Sequence, residues 1–206
     1  MPLVKQGKIS PDPFVRLADD AELPDDGAVL VSAARFLADP EALLRRPASF
    51  RGARSANPES GNDPQAPDSG FDRASAQPPR NDGRIGVIWP NNRDVDDLVP
   101  YLDRLAAVAL LFPTFRDGRA YSQARLLRER FGYRGELRAT GQVLRDQFVF
   151  MLRAGFDAFE VKKDSDAAAF ANTVKRYSVF YQPTGDGRVT ALHRRMQQRH
   201  SESASL

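Results

Sequence analysis

The sequence predicts an α/β protein built on a parallel sheet of five or six strands joined by crossover helices, either open and doubly wound or a partial (βα) barrel. Two observations carry that expectation. Short β-rich runs alternate with helix-length amphipathic segments, which is the pattern of parallel strands and crossover helices. From Ile85 onward the runs begin at Ile85, Val108, Glu136, Phe156 and Ser178, a spacing close to one strand-helix unit. Open sheets and barrels alike bind ligands at the carboxyl ends of their strands, so the expected location of a site does not depend on the choice.

The strands are expected at Ala28 to Val31, Ile85 to Trp89, Val108 to Phe112, Glu136 to Ala139, Phe156 to Val161 and Ser178 to Gln182. Asp94 can cap a helix running through Leu105. Tyr121, Ala124, Leu127 and Phe131 form one face of the next helix, which ends at Gly132. A third runs from about Gln142 to Ala154, turns Leu144, Phe148, Met151 and Leu152 inward, and stops at Gly155. The fourth starts after Asp164 and carries Ala169, Phe170, Thr173 and Val174.

Residues 48–83 are rich in Pro, Gly, Ser, Asn, Asp and Arg, with Phe50 and Phe71 as the large apolar exceptions. Such a stretch buries too little surface to offset its ordering entropy and is expected to be a disordered insertion. It separates an N-terminal strand-helix arm, residues 1–47, from a core domain at 84–192, followed by a tail at 193–206.

The 206 residues contain no cysteine and two histidines, His193 and His200. Disulfides, thiolate-held clusters, a cysteine nucleophile and a histidine-built zinc site in the core are thereby excluded for this chain. No run approaches the length of a membrane span, and the N-terminus lacks the pattern of a secretion signal, so a cytoplasmic protein is expected. Phosphate-binding and dinucleotide-binding glycine motifs are missing too. Nothing assigns a cofactor, flavin and haem included. Aromatics are not interleaved with basic residues as a single-strand reader requires, so no nucleic-acid partner is expected.

Lysine supplies five of the 30 basic residues and arginine the rest. A GC-rich genome accounts for much of that bias, but the clustering of arginine still matters, because its planar fork suits oxyanions and carboxylates. Between Phe112 and Gln147 eight arginines face four acidic residues, a local excess of positive charge. Within it, Phe112 to Ser122 follows a strand and precedes a helix. Gly118 permits a tight turn, the helix start offers free N–H groups, and Arg116, Arg119, Ser122 and Arg125 can add hydrogen bonds to an anion. The next strand and its loop contribute Arg138, Arg145 and Gln147. Asp117 and Asp146 are the carboxylates placed to act as acid or base. The competing structural reading has Asp117 capping the helix, the arginines paired with Glu129 and other acids, and Asp146 paired with Arg138 or Arg145.

Three segments carry a resemblance: Phe112-Pro-Thr-Phe-Arg-Asp-Gly-Arg-Ala-Tyr-Ser-Gln-Ala-Arg, Gly135-Glu-Leu-Arg-Ala-Thr-Gly-Gln-Val-Leu-Arg-Asp-Gln and Arg153-Ala-Gly-Phe-Asp-Ala-Phe. They resemble a bacterial domain-of-unknown-function family, number nine-three-four, over roughly Phe14 to Gln182 outside the insertion. Members are often labelled probable oxidoreductases of sulfite reduction. The resemblance therefore implies a role in assimilatory sulfur metabolism, with sulfite reductase as a partner. Relatives commonly carry glycine in place of Ala120, an acidic residue in place of Gln142 and cysteine in place of Ala154.

The expected function is thus an accessory protein of sulfite reduction that binds a small oxyanion, or the reductase itself, through the arginine-rich loop face. The alternatives are an enzyme on a partial barrel, with Asp117 or Asp146 as acid/base, and a structural subunit whose arginines make only interface pairs.

Overall fold

The computed structural model describes residues 2–45, 84–175, 177, 179–184 and 189–203, so the expected insertion at 48–83 lies outside the described residues. Eight strands form one sheet in the order β2-β1-β8-β7-β6-β5-β4-β3. Their ranges are β1 Leu3–Lys5, β2 Lys8–Ser10, β3 Phe14–Arg16, β4 Ala28–Ser32, β5 Ile85–Trp89, β6 Ala107–Phe112, β7 Glu136–Gly141 and β8 Ala158–Glu160. From β3 to β8 the strands are parallel and adjacent in chain order.

That order decides between the two architectures. Right-handed crossovers between sequential neighbours put every helix on the same face, and a sheet so covered curls. A doubly wound sheet would need a reversal of strand order, and there is none. The result is a half-barrel. It has eight strands where five or six were expected, because β1 to β3 are three-residue strands with no periodicity long enough to read. β1 and β2 are a hairpin turned by Gln6 and Gly7, both at positive φ, as a tight two-residue turn requires. The hairpin adds antiparallel to β8. The strand expected at 178–182 is not one. Phe180 makes a single bridge to Thr190, and Ser178 is outside the described residues.

The curl is tight. Only Pro11, Asp12 and Pro13 lead from β2 at one edge to β3 at the other, and four Cα steps reach no more than about 14 Å. Small side chains make room on the concave face, where Phe14, Ala28, Leu30, Ala107 and Ala109 form a compact core. Gly86 belongs to it, since a Cβ there would lie 2.6 Å from Leu30 Cδ2. The larger core lies on the convex face, between Val29, Val87, Trp89, Leu110, Phe112, Leu137 and Phe159 of the sheet and the helices. With both faces covered, the central strands read as continuous apolar runs.

The helix expected after Asp164 is found over Asp164–Lys175, but the other expected helices are shorter than the sequence suggested. The α-helices are α1 Ala33–Ala38, α2 Pro40–Leu44, α3 Arg119–Arg125, α4 Phe148–Ala154, α5 Asp164–Lys175 and α6 Ala191–Ser203. Asp94 caps as expected, accepting from Asp96 N, but the segment it starts is a 3-10 helix, Val95–Tyr101, with Pro100 inside it. α3 passes into a π-helical turn, Leu126–Arg130, before Gly132 turns the chain at positive φ. The helix expected from Gln142 begins at Phe148, and Leu144 is exposed instead of inward-facing. Gly155 ends α4 in the left-handed conformation. No helix among the described residues is long and apolar enough to cross a membrane.

Candidate functional site

β6 and β7 pair up to Phe112 and Gly141, so the loops that leave their carboxyl ends start side by side. Gly141 sits at φ 93°, and a Cβ there would lie 2.4 Å from Phe112 O. Glycine is needed for that close approach. Past it, Gln142 N donates to Phe112 O at 2.8 Å. The Gln142 side chain then accepts from Phe115 N at 3.2 Å, and Gln147 Nε2 donates to Phe115 O at 3.1 Å. Both backbone groups of Phe115 are thus fixed by the neighbouring loop. Its ring is 47% exposed, and the Arg116 guanidinium stacks over it at 5.5 Å.

Asp117 follows. Its Oδ1 accepts from Arg119 N at 3.2 Å, at the first residue of α3, whose N-cap position is Gly118, without a side-chain cap; both Asp117 oxygens also take hydrogen bonds from the Arg119 guanidinium, at 3.0 and 2.6 Å. That pair, with Asn91 alongside, holds the Asp117 carboxyl well below the usual carboxylate range. Gly118 is the residue before α3, and Ser122 lies exposed on it. Arg125 pairs with Glu129 one turn on, at 3.0 Å. Across the gap, Arg145 and Asp146 are exposed. Asp146 lies near enough to Tyr121 for its charge to add to burial, which is the larger cause, in pushing that phenol up to about 12.

Arg138 is elsewhere. Strand alternation turns it onto the concave face, fully buried, over the Phe14 ring at 5.3 Å. It pairs there with Asp12 at 2.7 Å, Glu136 at 2.8 Å and Glu160 at 3.2 Å. Asp146 is not among these partners. Lys5 completes one side by pairing with Glu136 at 2.6 Å. Toward the carboxyl ends, Arg16 reaches across from β3 to Glu160 at 3.0 Å and to Thr140 Oγ1 at 3.1 Å, while Thr140 donates to Glu160. Three cations and three carboxylates neutralise one another inside the curl. Burial opposes the charge on Arg138, but its hydrogen bonds to Asp12 and the field of Glu136 outweigh it and raise its pKa.

The eight arginines of the segment therefore do not gather round one hollow. Arg116, Arg119 and Arg145 share the loop face, Arg125 flanks it, and Arg138 is interior. Arg130 stacks on Phe131. Arg128 is partly buried at the opposite end, where it donates to the carbonyls of Gly155, Tyr133 and Gly135 and pairs with Asp157. Arg134 helps line an open cleft of about 630 Å³ beside Lys5, Lys8 and Glu136, at the amino ends of β7 and β8. Sequence reasoning missed Arg16 and Glu160. The signal for Glu160 was present, a carboxylate between Phe159 and Val161 in a strand with both faces covered, where a charge must have a partner.

Among the described residues, no group of three or more histidine or acidic side chains is arranged to hold a metal ion. No curated protein matches the chain. Residues 86–192 match the family model described as a bacterial protein of unknown function (DUF934). That stretch contains β5 from its second residue, β6 to β8, the paired loops after β6 and β7, and Arg138 with its partners Glu136 and Glu160. With just over half of its length inside the match, the chain belongs to this bacterial family of unknown function.

Proposed function

We propose that this protein is a non-catalytic accessory of assimilatory sulfite reduction that docks on the reductase through the loop face formed by Phe115, Arg116, Arg119 and Arg145. The observation that carries the reading is the way Phe115 is held. Its amide and carbonyl are fixed by Gln142 and Gln147, leaving a half-exposed ring with an arginine stacked on it. Preorganised aromatic and arginine anchors are the side chains that dominate protein interfaces. The surrounding arginines suit an acidic partner surface, and the resemblance in the loop segments supplies the partner.

An enzyme using Asp117 has less support. A general acid or base works best with a pKa near the operating pH, whereas the bidentate Arg119 pair keeps Asp117 ionised. Affinity capture of the sulfite reductase by the wild type, by Phe115→Ala and by Arg116→Ala tests docking. Capture should fall on the order of tenfold in either variant. Isotherms with sulfite, sulfate and phosphate, on the wild type and Arg119→Ala, test the oxyanion version. Anion binding lost in Arg119→Ala, with no capture of the reductase, would replace docking by ligand binding.

A further inference from the structure

The amino ends of the strands carry positive charge that the interior network does not neutralise. Lys5 and Lys8 are Cα partners across the β1–β2 hairpin, and the tight turn at Gln6 and Gly7 between them fixes that register. Like charges directly opposite one another on a sheet repel and weaken the pairing. Lys5 has a counter-ion in Glu136 at 2.6 Å. Lys8 has none among the described residues, and neither does Arg134, which is exposed on the loop before β7.

All three cations line the open cleft of about 630 Å³. The two carboxylates that line it, Glu136 and Asp157, are already engaged by the interior Arg138 and by Arg128. The cleft is therefore left with a positive potential, whose complement is an anion. Arg134 offers a planar fork and the lysines offer compact ammonium donors, a combination that suits the oxygens of a phosphate group. The space exceeds a bare ion and falls among small-molecule sites, which run from about 300 to 1,000 Å³. Ile9, 55% exposed, and Pro11 add an apolar wall. We infer that this cleft binds the phosphate monoester of a small organic molecule, with Lys5, Lys8 and Arg134 on the phosphate and Ile9 and Pro11 against the organic part. The cleft is at the opposite end of the strands from the loop face proposed for docking, and it does not depend on that role.

Isothermal titration of the full chain with phenyl phosphate and with inorganic phosphate, at low salt and near pH 8, tests it. Phenyl phosphate should bind on the order of tenfold tighter than inorganic phosphate, because its ring gains the apolar wall. Lys8→Glu and Arg134→Glu should each weaken its binding on the order of tenfold or more. Lys8→Glu also ends the like-charge pair, so this variant should melt no earlier than the wild type, which separates lost binding from lost folding. Affinity should drop below about pH 5, where the ester carries one charge fewer. A wild type that binds no phenyl phosphate overturns the inference, as does binding that both cleft variants leave unchanged. Equal affinity for the two probes overturns the monoester assignment. Binding abolished by Arg119→Ala but by neither cleft variant puts the anion on the loop face and overturns the inference too.

Discussion

Replacing Arg138 with methionine isolates the contribution of the interior charge network. The substitution keeps length and apolar stem but removes the cation that Asp12, Glu136 and Glu160 share. Arg138 is fully buried, and Glu160 and Glu136 have side-chain exposures of 7% and 15%. Breaking a buried pair by removing one partner costs about 3–5 kcal/mol. Asp12 is one-third exposed and can return to water, so the cost should come chiefly from the two glutamates. Urea unfolding at pH 7 measures it. The sign of the pH dependence gives a second check. In the wild type burial alone would raise the Asp12 pKa, but hydrogen bonds from Arg138 and the Phe14 amide outweigh it and leave it below 3.8. The stability this provides is complete above that value and is lost as pH falls through the depressed one. Wild-type stability should therefore change little from this source between pH 7 and pH 5. In Arg138→Met the hydrogen bonds and charge of Arg138 no longer depress the Asp12 pKa, so this contribution shrinks. The variant should lose less stability than the wild type as pH falls below 5. A loss below about 1 kcal/mol at pH 7, or a variant with the full acid sensitivity of the wild type, would refute the reasoning.

Three further outcomes are expected. Arg128→Met should cost roughly 2–3 kcal/mol in urea unfolding, because its guanidinium satisfies three carbonyls and Asp157 in a partly buried site; Arg128→Lys should recover only part. Gly141→Ala forces a β-carbon toward Phe112 O at a positive φ, for a loss of about 1–3 kcal/mol in thermal or urea melts. Gln142→Ala removes the acceptor for Phe115 N, so hydrogen exchange at that amide should quicken roughly fivefold, with global stability little changed.

The central sheet could be read from the sequence because its strands are covered on both faces. Ile85–Trp89 is found with the expected limits, and the other strands of the central sheet differ by one or two residues at an end. Helix lengths were harder. Pro100 shortens one segment to a 3-10 helix, and the run before Phe148 is drawn into the loop contacts of Gln142 and Gln147. At the site, the sequence set Arg116, Asp117, Gly118 and Arg119 just past a strand and gave the pairing of Arg125 with Glu129 as one reading, whereas the cap expected at Asp117 falls on Gly118. One partner of Arg138 was out of reach. Asp12 is 126 residues away and belongs to a segment with no helix or strand signal. Only a curled sheet brings it near.

That curl has a consequence for how the chain is made. Lys5, Asp12 and Arg16 find their partners 131, 126 and 144 residues downstream. Contacts of such separation are slow to form. On a ribosome β3 can pair with β4 early, but the β1–β2 hairpin has no sheet edge to join until β8 has left the exit tunnel, so the first strands synthesised must be among the last to settle.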